Sequence, residues 1–227
     1  MTTPLFIRGR WLLGAGLLLT ACDDGLEVHF AQPFPAQAAD MAVFPARHRA
    51  VYTAADSSKS LCIGRTAVWR QELVAFNVSR HRLDSLHQQL AADSTYEEKG
   101  HLHYLKLVGR DSVRDSWLET DTIFTMRGPE VGKLRRFQGR YYLNTPTDSE
   151  GKWKVERLEI DGRHLRWQHL GQDTLRLLAL DSATVRYHRE HGRLTSFQLT
   201  PASGAQTRRV GRYAGLWDTH EEYARRH

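Results

Sequence analysis

Cysteine is almost missing from the 227 residues: there are two, Cys22 and Cys62. If either is otherwise used, no intramolecular disulfide can form, so no disulfide framework is expected. Long apolar runs are missing too. The run Trp11 to Ala21 would cover about 16 Å as a helix at ~1.5 Å per residue, against a hydrocarbon core of about 30 Å, so it cannot span a bilayer. Catalytic signatures are absent: there is no Gly-x-Ser-x-Gly elbow, phosphate-binding glycine loop, His-Glu-x-x-His or Cys-x-x-Cys. A large excess of one charge is lacking as well, since 32 Lys+Arg stand against 26 Asp+Glu, a formal +6.

What is there begins with a graded leader. Arg8 and Arg10 are positive, Trp11 to Leu19 are apolar, and Thr20 and Ala21 are small. That is the plan of a secretory signal peptide over residues 1–21. Leu19-Thr20-Ala21-Cys22 resembles the lipobox of bacterial lipoproteins. The resemblance implies a diacylglyceryl group on the Cys22 thiol and an acylated amino terminus. Each buried methylene contributes about 0.8 kcal/mol, so two or more chains hold a protein on a membrane. The alternative is a chance cysteine behind a plain signal peptide or a short buried helix. Cys62, in Ser60-Leu61-Cys62-Ile63, reads as a small buried hydrophobe. Without the leader the chain carries 30 bases against 26 acids, +4. An exported protein of that charge is expected to meet no nucleic acid; phosphate-bearing lipids, an anionic glycan or an envelope protein are the expected partners.

From Asp23 to Pro45 the chain is rich in Ala, Pro, Asp and Gln, with Pro33, Pro35 and Pro45 opposing helix. Residues 22–45 are therefore expected to be the lipidated Cys and a tether reaching about 25 to 30 Å. The other reading is that Val28-His29-Phe30 adds a strand to the domain that follows. Asp23, Asp24 and Glu27 place three acids just behind the cysteine, which reads as a sorting address.

Residues 46–227 read as a β-rich domain. Short alternating runs of β-branched and aromatic residues dominate, as in Lys152 to Ile160. Separate strands are expected at Ala67 to Arg70 and Leu73 to Val78, at Val113 to Leu118 and Thr122 to Met126, and at Thr174 to Leu180. Asp161-Gly162 and His191-Gly192 mark hairpins. Leu83, Leu86 and Leu90 have the spacing of a short amphipathic helix. A late helix is expected from Thr200-Pro201 as N-cap and first turn, through Val210 and Tyr213, to a stop at Gly215. The fold class is mainly β: antiparallel sheets or a barrel-like, lipocalin-like domain with a short helix near the C-terminus. His48 to Tyr52 followed by Leu61 and Ile63 parallels Gln138 to Tyr142 followed by Leu158 and Ile160. Two related halves, 46–136 and 137–227, are one reading of this; an unrelated run of strands is the other.

Val28 to Pro35, Thr120 to Phe124, and above all Phe137-Gln138-Gly139-Arg140-Tyr141-Tyr142-Leu143-Asn144 with Trp153-Lys154-Val155 resemble uncharacterised lipoproteins of Bacteroidetes-type bacteria. The likeness runs through most of the mature chain. The chain departs from it in having Arg49-Ala50 where a Gly would precede Tyr52. The resemblance implies no activity and no catalytic residue. It does imply that the acids behind Cys22 address the outer membrane, with surface display favoured over a periplasmic face; the other reading is the inner-membrane retention signal that an aspartate beside the cysteine resembles in enteric bacteria.

The remaining candidates are side chains without a motif. His101-x-His103 on a strand would share a face and could hold a metal through two imidazoles, but no third ligand is evident and no metal or cofactor is expected. His188-x-x-His191 straddles a turn. Asp121, Glu130 and Asp148 could pair with Glu156 or Glu159 for acid–base work, given a pocket. Lys133 to Arg136 with Arg140-Tyr141-Tyr142 mixes bases and aromatics as anion sites do, and also reads as a solvated strand edge. The expected function is a membrane-anchored envelope lipoprotein with a non-enzymatic binding or structural β-domain. The alternative is an envelope hydrolase acting on glycan, ester or phosphoester bonds. A deep cleft with two converging carboxylates, or a His beside a nucleophile, would favour the enzyme.

Overall fold

A computed structural model describes residues 26–82, 95–128, 131–147, 151–213 and 215–225. Cys22 and the leucine-spaced segment at 83–90 lie outside these. Strands take 57% of the described residues and helix 11%, so the domain is mainly β. In chain order the strands are β1 Glu27–Phe30, β2 Asp40–Met41, β3 Ala50–Ala54, β4 Lys59–Ile63, β5 Ala67–Ser79, β6 Thr95–Glu98, β7 His101–Leu107 and β8 Ser112–Thr125. They continue with β9 Lys133–Phe137, β10 Arg140–Pro146, β11 Trp153–Asp161, β12 His164–Leu170, β13 Val185–Glu190, β14 Arg193–Leu199 and β15 Trp217–Arg225. Two helices interrupt the later strands, α1 Thr174–Leu178 and α2 Gly204–Arg212.

All the strands belong to one sheet, ordered β13-β14-β1-β11-β12-β15-β3-β4-β5-β8-β7-β6, with β10, β9 and β2 leaving from the other side of β11. Every pairing is antiparallel except β1 beside β14. The sheet curls. Its inner face gathers Phe44, Tyr52, Leu61, Val68, Phe124, Leu134, Tyr141, Leu143, Leu158, Leu165 and Tyr223 into one core. The outer face of β1, β10, β11 and β14 packs with α1 and α2 around Phe30, Phe34, Tyr142, Val155, Leu177, Phe197, Val210 and Trp217. Because β10 lies between the two cores, Tyr141, Tyr142, Leu143 and Asn144 are buried in succession.

Tight turns connect the hairpins. At Lys99-Gly100, Gln138-Gly139 and His191-Gly192 both residues take positive φ, the conformation whose twist matches that of the flanking strands. Phe137 to Asn144 is thus one hairpin: the end of β9, a Gln-Gly turn, and the doubly buried β10.

Several expectations are corrected. The tether does not extend to residue 45, for Phe30, Phe34 and Phe44 are fully buried and β1 lies between β14 and β11. The prolines do not loosen this segment. The Arg135 guanidinium donates to the carbonyls of Pro33 at 2.6 Å and Pro35 at 2.9 Å, and to Asp40 at 2.6 Å. Asn144 accepts from the Phe34 N–H at 2.5 Å.

The four runs at 67–78 and 113–126 are two long strands, because β5 and β8 pair along their whole lengths. Thr174 to Leu180 is not a strand but contains α1, whose first N–H groups bond to the Asp173 carboxylate. The late helix begins at Gly204, capped reciprocally by Ser203 and Gln206 rather than by Thr200. The stretches 46–136 and 137–227 are not separate units, since β3 pairs with β15, β9 with β10, and one core draws on both. Among the described residues no helix is long and apolar enough to cross a membrane.

Candidate functional site

Strand alternation decides which side chains of β1 face which way. Val28 and Phe30 join the outer core, so Glu27 and His29 turn to the inner side. On β11 the same alternation turns Lys154 and Glu156 inward, in line with Leu158. Opposite them stand Arg70 on β5 and Asp121 on β8, directly paired in register. Between these walls, where the apolar filling of the curl ends at Trp167, a cleft of about 820 Å³ opens. That is the size of a small-molecule site.

Two β-bulges shape it. Between Val68 and Trp69 of β5 the partners on β8 skip from Phe124 to Thr122, leaving Ile123 as the extra residue. Between Trp167 and Gln168 of β12 the partners on β15 skip from Glu221 to Thr219, leaving His220. Both extra residues line the cleft, as bulges do when they re-aim a side chain. The His220 ring stands edge-on to Trp167 at 4.6 Å between centroids and to His169 at 5.4 Å.

The charged side chains of the cleft have opposite charges beside them, two pairs within the lining and one reaching Lys152 outside it. Arg70 lies 3.5 Å from Asp121, Lys154 lies 2.8 Å from Glu156, and Glu27 holds Lys152 at 2.8 Å. Two buried ring nitrogens are not compensated: His29 Nδ1 and Trp167 Nε1 have no hydrogen-bond partner. The nearest carboxylate oxygen to the first, on Glu27, is 3.6 Å away. Burial pushes the pKa of His29 down, and the opposing pull of Glu27 is the smaller effect. A buried polar group left unmatched costs about 1 to 3 kcal/mol, so a ligand atom or water that reaches either nitrogen recovers part of that cost.

Of the carboxylates considered for acid–base work, the fold brings Asp121 and Glu156 into one cleft. Glu159 instead holds Arg140 at 3.0 Å and Arg166 at 3.2 Å, and Glu130 and Asp148 lie outside the described residues. The basic–aromatic run has internal partners. Arg135 is bound as above, Lys133 stands over Trp153 at 5.5 Å, and Arg136 over Tyr141 at 5.4 Å. His103 is buried beside Asp115, whose carboxylate lies 3.0 Å from Nδ1 and also accepts from the Tyr96 hydroxyl at 2.7 Å. The His103 ring lies between Tyr96 and Trp117, 4.6 Å from each. His191 sits in its turn and His188 is exposed beside Glu190. Among the described residues no three His, Cys, Asp or Glu side chains are grouped to hold a metal.

Cys62 is buried, its thiol donates to Gln71 Oε1 at 3.3 Å, and burial raises its pKa. Sequence reasoning missed His29, Trp167, His169, His220, Arg70 and Lys154 as cleft residues. No local pattern distinguishes them, because the cleft joins six separate strands. Comparison of the chain with protein-family models, with curated proteins and with solved structures gives no match.

Proposed function

We propose that the protein is a bacterial envelope lipoprotein, anchored through a lipidated Cys22, whose β-domain binds a small polar ligand in the cleft without chemically altering it. The observation that carries the binding role is the pair of orphaned nitrogens, His29 Nδ1 and Trp167 Nε1, on residues lining a cleft of about 820 Å³. The anchor rests on Leu19-Thr20-Ala21-Cys22 and on the likeness to Bacteroidetes-type lipoproteins, which also favours the outer membrane and surface display. Only Asp23 and Asp24 remain for a sorting address, because Glu27 is engaged with Lys152 in the domain.

The hydrolase reading is weaker. The cleft does hold two of the candidate carboxylates, but Asp121 and Glu156 each face a cation. The His103–Asp115 pair has the Tyr96 phenol and the Trp117 indole beside it, and no nucleophile among these contacts.

The binding role is tested by His29→Leu. If the nitrogen is kept for a ligand, its removal raises the unfolding free energy by about 1 kcal/mol in urea titration; a comparable loss shows that the nitrogen serves the fold. The anchor is tested by Cys22→Ala, which releases the protein from salt-washed membranes and abolishes labelling by radioactive palmitate. Retention of the variant on membranes overturns the lipobox reading.

A further inference from the structure

The rim of the cleft begins at Leu26, followed by Glu27 and Val28, and Leu26 is four residues beyond Cys22. Four extended residues reach at most about 14 Å. With Cys22 acylated, as proposed above, the cleft is held at the bilayer surface instead of standing off on a long tether. Whatever enters it is presented within a short distance of lipid headgroups.

The lining determines the chemistry of that ligand. Arg70–Asp121, Lys154–Glu156 and Lys152–Glu27 are cation–anion pairs. A charged ligand meets matched, partly exposed pairs rather than a free counter-charge, so charge gives it little advantage over a neutral one. The unmet requirements are neutral ones: the Trp167 indole N–H needs an acceptor, and the buried imidazole of His29 needs a donor or an acceptor according to its tautomer. A hydroxyl can serve as either. Around these atoms, carboxylates that accept and cations that donate can each take a further hydroxyl. His220 is exposed, and its ring stands edge-on to Trp167 in the lining of the cleft.

We infer that the cleft binds a neutral, hydroxyl-rich group, a sugar unit, at the membrane surface. The inference rests on the lipoprotein reading for its membrane placement and on the cleft alone for its ligand class. The sugar can be a lipid headgroup or a free saccharide, and the chemistry of recognition is the same.

The test uses the mature lipidated protein in phosphatidylcholine vesicles. The probes are a diglucosyl diacylglycerol in the bilayer, free glucose, galactose and N-acetylglucosamine in solution, phosphatidylglycerol in the bilayer, and a neutral tripeptide. Amide hydrogen exchange over residues 26–30 and 217–222 reports occupancy. Protection by the glycolipid or by a free sugar, changing less than about twofold in affinity between low and high salt, is the expected result. Protection by the glycolipid alone identifies the headgroup as the source; equal protection by free sugar identifies the soluble form. Trp167→Phe should weaken binding about fivefold to tenfold, as loss of one hydrogen bond does. Asp121→Asn, at a largely exposed side chain that does not endanger folding, should weaken it less.

Protection by phosphatidylglycerol or by the tripeptide alone, or by none of the probes while the protein stays folded, overturns the inference. An unmodified Cys22 overturns the lipoprotein reading and the membrane placement, and the free-sugar arm then still decides the ligand class.

Discussion

In β10 four consecutive side chains, Tyr141 to Asn144, are buried; in β7, a strand of the same sheet, burial alternates, with His103 and Leu105 inside and Leu102 and Tyr104 half exposed. The first strand divides two cores. The second belongs to an arm formed by β6, β7 and the outer parts of β5 and β8, where the apolar filling shrinks to Leu105 and Val113 with Val78 and Tyr96. On the other face of the arm Leu73 and Leu118 lie directly opposite each other and exposed. Strands of one hydrogen-bond ladder thus differ in how much apolar surface they bury, and local opening is expected to be easier in the arm. In the arm the Tyr96–Asp115–His103 network adds hydrogen bonds beside the small cluster at Leu105 and Val113.

The sharpest break of this comparison is in the doubly packed region. Phe34→Ala removes a ring that contacts Phe30, Tyr142 and Trp217 at centroid distances of 4.7, 4.9 and 6.2 Å. It should cost about 3 to 5 kcal/mol in urea unfolding. A loss below about 1 kcal/mol would return this segment to the status of a tether. In the arm, Asp115→Ala removes the carboxylate that Tyr96 and His103 share. It should cost about 1 to 3 kcal/mol, read as faster hydrogen exchange in β7 and β8 with β10 and β11 unchanged. Equal acceleration in all four strands would show that arm and cores unfold as one unit. The smallest effect is expected from Leu118→Ser, within about 0.5 kcal/mol, because the side chain is already half in water. A larger loss would mean that this face is covered in solution.

Much of the fold is written locally. Alternation in Lys152 to Ile160 marks β11, Asp161-Gly162 and His191-Gly192 mark two hairpins, and Val210 marks the buried side of α2. Lys99-Gly100 and Gln138-Gly139 take the same conformation with less usual first residues, so their sequence signal is weaker. β15 carries no alternating apolar signal. Its only buried side chains are Trp217 and Tyr223, and the polar residues between them resemble a loop. The cleft was barely legible: Asp121 and Glu156 stood out as acids, but nothing joined them.

By itself the sequence determined a β-rich domain, two of its hairpin turns, a late helix and the lipobox resemblance at Cys22. Each of these depends on residues within a few positions of one another, where sterics and hydrogen bonding are local. Tertiary structure alone decided that the proline-rich segment becomes part of the domain, because Arg135 and Asn144, about 100 residues away, hold its backbone. It alone decided that Ile123 and His220 turn into a cleft, because a bulge exists only relative to the strand it is paired with. The same holds for the orphaned nitrogens of His29 and Trp167: whether a donor is satisfied depends on what the rest of the chain brings within 3 Å or so of it.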